Sequence, residues 1–223
     1  MSAPSKPQLH FPVSAAVPQT SHHLRLKTTL HDSLCEAFSA VACIGCGQFV
    51  YWDASDPSVC LAPDAIVKLG RPDDLFDCWR VWERGVPEVA VEIVCEVDER
   101  DRDWDANLER FRSLGVGELI RFDPEQPGGS LRAWDRVGQE LVERSGVEWS
   151  TPSRYLNGYW VVLQDAKGRP VLRLSHDQHG RQLFPTKLEA LRQETEALRQ
   201  ETEALRQETE ALRQRKPSSK LFS

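Results

Sequence analysis

The sequence predicts an α/β fold, a mixed β-sheet flanked by helices, followed by a separate heptad-repeat helix. Three observations carry this reading. Apolar spacing runs in the order helix, several strands, helix, strand through the body of the chain. A seven-residue repeat then closes the chain from Glu189. The length, 223 residues, suits one domain of ordinary size with an appendage. The expected organisation is an N-terminal arm over 1–20, a domain over 21–184, a coiled-coil helix over 185–216 and a disordered tail over 217–223.

Residues 1–20 hold four prolines and little periodicity, which predicts a loose arm. From Leu24, apolar residues at 26, 30, 34, 38 and 41 follow helical spacing, with Gly45 and Gly47 as the stop. Gln48–Trp52, Leu61–Leu69 and Val89–Cys95 read as strands. In the last of these, Val89, Val91 and Ile93 face one way, and Ala90, Glu92 and Val94 the other. Between Asp98 and Leu114, Trp104, Leu108 and Phe111 form a helical stripe that ends at Gly115. Strand signals follow at Glu118–Phe122, Leu131–Trp134 and Glu140–Val142, and a hairpin at Tyr159–Leu163 and Val171–Leu174 around Asp165-Ala166-Lys167-Gly168.

The tail is the clearest element. Leu191, Leu198, Leu205 and Leu212 occupy heptad position d, with Leu188, Thr195, Thr202 and Thr209 at a. Thr186 with Glu189 makes a capping box, and Pro217 marks the end. Glu194, Glu201 and Glu208 at g face Arg199, Arg206 and Arg213 at e of a parallel partner, which predicts self-association through residues 186–214. The competing account is a solvated single helix held by its own Arg–Glu pairs.

Composition narrows the function classes. The absence of a long apolar run or a signal-like N-terminus predicts no membrane span and a cytoplasmic chain. Six cysteines without regular spacing suit reduced thiols, and Cys43-Ile44-Gly45-Cys46 reads as small residues in a turn rather than half of a zinc site. The net charge is −6, and residues 187–216 balance seven acids with seven bases, so the excess acid lies in the body. That disfavours a broad, sequence-independent grip on nucleic acid, while a local basic rim stays open. His176 and His179 read as part of a polar turn.

Two carboxylates stand out. Asp64 in Leu61-Ala62-Pro63-Asp64-Ala65-Ile66-Val67 and Glu92 in Val89–Val94 each interrupt an apolar, strand-like run. A buried carboxylate is costly unless a metal, a cation or a proton accompanies it, so the pair is a candidate divalent-metal site. The blander account makes Asp64 a turn residue and pairs Glu92 with an arginine such as Arg102. Glu36, on the first helix, is a third and more distant candidate.

Ala62-Pro63-Asp64, Val91-Glu92-Ile93, an Asp-rich helix start at 98–105, Leu114-Gly115-Val116 with Glu118, and Phe122-Asp123-Pro124 occur in an order that resembles the Uma-two family of restriction endonuclease-like proteins. That family lies in the PD-(D/E)XK nuclease superfamily, and the resemblance covers roughly residues 22–184. It implies a PD-(D/E)XK core, Asp64 and Glu92 as ligands for Mg²⁺ or Mn²⁺, DNA as substrate and phosphodiester hydrolysis. Val94 stands where the pattern has a lysine on the strand, and Asn107 where the family has moved it to the helix, four residues before Phe111. Asparagine can donate to a phosphate oxygen but carries no charge. The resemblance therefore implies impaired cleavage, or a degenerate member that acts as an assembly module through its coiled coil. Lys68 is a candidate substitute, although about 13 Å of strand separates it from Asp64.

Overall fold

The structure is a computed structural model that describes residues 9–12, 20–94 and 103–215. It divides into two compact units, Met1–Phe184 and Pro185–Ser223. The first is a mixed α/β body and the second a long helix, as the apolar spacing predicts.

Helix α1 (Ser21–Phe38) starts at Thr20, whose hydroxyl accepts the His23 N–H at 3.1 Å. Its buried stripe runs through His23, Leu26, Leu30 and Leu34. The helical pattern does not extend to position 41: Ala42–Gly45 forms strand β1, buried along its whole length. The expected turn at Cys43 and Cys46 is thus largely an edge strand. Its small residues allow close packing, since a Cβ on Gly45 would meet Ile66 Cγ1 at 2.7 Å.

Strands β2 (Val50–Tyr51) and β3 (Cys60–Leu61) are two residues each, and β4 (Ala65–Leu69) begins only after Pro63 and Asp64. Strand β5 (Trp79–Arg80) and the short helix α2 (Val81–Arg84) precede β6 (Val89–Ile93). Helix α3 (Trp104–Leu114) is capped by Asp103, which accepts the Ala106 N–H at 3.1 Å, and stops at Gly115 in the left-handed region with φ 96°. Then come β7 (Glu118–Asp123), β8 (Ser130–Val137), β9 (Glu140–Glu143), β10 (Ser150–Pro152), β11 (Tyr159–Gln164) and β12 (Pro170–Ser175).

Among the described residues the main sheet has six strands in the order β1-β4-β6-β7-β8-β9. Its β6–β7 pair is parallel, joined through α3, and its other pairs are antiparallel. One face packs Val67, Val91, Ile120 and Phe122 with Leu26, Leu30 and Leu34 of α1 and with Trp160 and Leu172 of the β10-β11-β12 sheet. The other packs Ile66, Ala90, Leu119 and Trp134 with Phe111 and Leu114 of α3.

Helix α4 (Lys187–Arg215) carries the heptads. Its capping box forms in both directions, Thr186 N–H to Glu189 Oε2 at 2.8 Å and Glu189 N–H to Thr186 Oγ1 at 3.3 Å. Thr195, Thr202 and Thr209 each donate their hydroxyl to the carbonyl four residues earlier at 2.7 Å. These hydroxyls are satisfied within the helix.

Candidate functional site

The ladder between β4 and β6 pairs Ala65 with Val91 and Ile66 with Ala90. The ladder ends at Ala65 and Val91, so Asp64, in the bend before β4, and Glu92, the next residue of β6, stand at adjoining strand ends. Both side chains are deeply buried, Asp64 at 6% and Glu92 at 8% exposure.

Asp64 is held on three sides. Its Oδ2 accepts the Ile93 N–H at 2.8 Å, which ties it to the strand carrying Glu92. Its Oδ1 lies 2.9 Å from His23 Nε2 and 3.4 Å from Lys27 Nζ, both on α1. The first turn of α1 has no acidic residue, so Asp64 also supplies the negative charge that a helix N-terminus favours. The loop after β1 completes the enclosure. Gly47 N–H donates to Pro63 O at 2.9 Å, and burial pushes the Cys46 thiol up to about 11, with Lys27 pulling it down and Asp64 adding to the rise.

On the α3 face, Glu92 is two residues beyond Ala90, and its parallel neighbour Arg121 is two residues beyond Leu119. The Arg121 guanidinium lies over the Trp104 ring at 4.8 Å. Asn107 sits on the buried side of α3 with Phe111 and Leu114, 4% exposed. Among the described residues, both atoms of its amide, the Trp104 indole N–H and Arg121 Nε are buried and find no hydrogen-bond partner. A buried polar atom left without a partner costs stability unless a water, an ion or a ligand meets it.

Several sequence expectations are corrected or located. Lys68 does not serve this site: its ammonium binds Glu88 Oε1 at 2.5 Å, while Glu88 Oε2 takes the Leu69 N–H at 2.7 Å. Glu36 is exposed on the solvated flank of α1. Cys43 donates its thiol to Asp74 Oδ1 at 3.3 Å. The His176–His179 turn is organised by Asp177, which accepts the His179 and Gln182 N–H groups at 2.8 Å. Arg102, Cys95 and the Asp-rich stretch before Asp103 lie outside the described residues. His23 and Lys27 were missed. The available signal was their position: they stand four residues apart at the start of the stripe that continues through Leu30 and Leu34, where basic side chains must enter the protein.

Mg²⁺ ordinarily takes one or two carboxylates from a protein and completes its shell with water and phosphate oxygens. Asp64 and Glu92 supply carboxylates in that number, and the carboxylate of Asp64 has lone pairs beyond its present three contacts. Among the described residues, no group of three or more His, Cys, Asp and Glu side chains is placed to hold a metal by itself. No protein-family model matches the chain, and no curated protein matches it. No helix among the described residues is long and apolar enough to cross a membrane.

Proposed function

We propose that the body of this chain is a Mg²⁺-dependent DNA endonuclease of the Uma-two type, with a PD-(D/E)XK core and with Asp64 and Glu92 as the metal-binding carboxylates. What supports the reading is two buried carboxylates at the ends of neighbouring strands, with Asp64 oriented by the N–H of Ile93, the residue after Glu92. Mg²⁺ or Mn²⁺ bound there would neutralise charge on a phosphate and acidify a water molecule. The chain's own residues orient and donate. The Ile93 N–H and His23 fix the carboxylate of Asp64, and the unpartnered Asn107 amide has an N–H₂ to offer a phosphate oxygen. With asparagine at 107, one positively charged donor is lost, and removal of such a donor commonly slows the chemistry about a hundred- to a thousandfold.

Supercoiled plasmid incubated with the purified chain should be nicked slowly when Mg²⁺ or Mn²⁺ is present and remain intact in EDTA or with Asp64→Ala. Cleavage that survives Asp64→Ala would assign the activity elsewhere. A second reading, a degenerate nuclease fold serving as an assembly module through α4, is favoured by one observation. Leu188, Leu191, Leu198, Leu205 and Leu212 line a continuous heptad face, each between 51% and 58% exposed. Under either reading that face is the surface for self-association.

A further inference from the structure

The carboxylate assigned to metal binding already holds a cation. Lys27 Nζ is 3.4 Å from Asp64 Oδ1, and the lysine side chain is 11% exposed. A nearly buried ammonium requires a counter-charge, and Asp64 provides it. The ammonium lies against the Cα of Gly47, where a Cβ would meet Lys27 Nζ and Cε. The φ of Gly47, 75°, independently favours glycine there.

We propose that Lys27 is the built-in counter-ion of the Asp64–Glu92 site and competes with a divalent cation for Oδ1 of Asp64. This rests on the reading of the two carboxylates as a metal site. Oδ2 is committed to the Ile93 N–H, which leaves Oδ1 as the oxygen that meets cations, and His23 already approaches it at 2.9 Å. A divalent ion arriving at Oδ1 meets a like charge within ion-pair distance. The four-carbon stem of lysine lets the ammonium withdraw without movement of α1. Lys27 therefore weakens metal binding while stabilising the metal-free protein, two effects of opposite sign from one side chain.

The test is Mn²⁺ binding by titration calorimetry on the full chain, with melting temperatures measured in EDTA. Lys27→Met should tighten Mn²⁺ binding on the order of tenfold, the low end of what one neighbouring charge does to an ionic equilibrium. It should also lower the melting temperature in EDTA. Lys27→Gln, which keeps a polar head, should tighten binding in the same direction if the methionine variant folds poorly, and Lys68→Met should leave Mn²⁺ affinity unchanged. Lower metal-free stability with Mn²⁺ affinity unchanged or weakened in both Lys27 variants would overturn the inference and leave the metal site standing. Absence of Mn²⁺ binding at millimolar concentration in the native chain and in both variants would overturn the metal-site reading, and this inference with it.

Discussion

Asn107→Leu separates the structural cost of the site from its chemical use. The side chain is 4% exposed, and neither end of its amide has a hydrogen-bond partner among the described residues. Leaving a buried polar group unsatisfied costs about 1–3 kcal/mol, and an apolar group of similar branched shape removes that cost. Leucine also buries more apolar surface among Phe111 and Leu114, opposed by some overpacking. The expected net effect is a gain of about 1–2 kcal/mol, or about 2–8 °C in melting temperature for a chain of this size. Calorimetric melting and urea titration read it directly. If the proposed nuclease activity is present, metal-dependent cleavage should move the opposite way, because the variant lacks the amide proposed to donate to phosphate. A loss of stability greater than about 1 kcal/mol, the size of an ordinary hydrogen bond, would refute the argument by showing the amide to be engaged in the native protein.

Other perturbations reach other parts of the molecule. Glu118 is fully buried and bound by Arg144 at 2.8 Å and Ser153 at 2.7 Å. Arg144→Met should cost about 3–5 kcal/mol at neutral pH, since it strands a buried charge. Burial holds the Glu118 carboxyl above its ordinary range, against the lowering effect of Ser153 and Arg144. Without Arg144 that rise grows. A carboxyl with a raised folded-state pKa favours folding below the unfolded value and loses that contribution as pH rises through the folded one, so the variant's deficit should shrink on acidification from about pH 7 toward pH 4. A deficit that widens on acidification would contradict this assignment. In the tail, sedimentation should find the full chain self-associated and a chain lacking residues 187–223 monomeric, with Thr195→Ile plus Thr202→Ile tightening association. Monomers throughout at high concentration would leave the exposed leucines without that role.

Much of the architecture is legible because its periodicities are local. Strand β6 announces itself by alternation, α3 by Trp104, Leu108 and Phe111 and its stop at Gly115, and α4 by an uninterrupted heptad. The misread pieces depend on partners distant in sequence. Ala42–Gly45 is too short and too small in its side chains to declare a strand, and becomes one by pairing with β4. Strands of two residues, such as β2 and β5, exist only through their ladders. The candidate site divides the same way. Asp64 and Glu92 are conspicuous as acids in apolar runs, whereas the link from Lys27 to Asp64 spans 37 positions of sequence and carries no spacing signal of its own. Lys68 illustrates the opposite error: proximity in sequence to Asp64 places it toward the far end of β4, where Glu88 takes its charge.

If Asp64 and Glu92 together hold a divalent metal, anomalous diffraction from crystals grown with Mn²⁺ should show a peak beside the two carboxylates, absent from crystals of Asp64→Asn. Crystals that show Mn²⁺ only elsewhere on the molecule, or the same peak undiminished in Asp64→Asn, would contradict the metal-site reading.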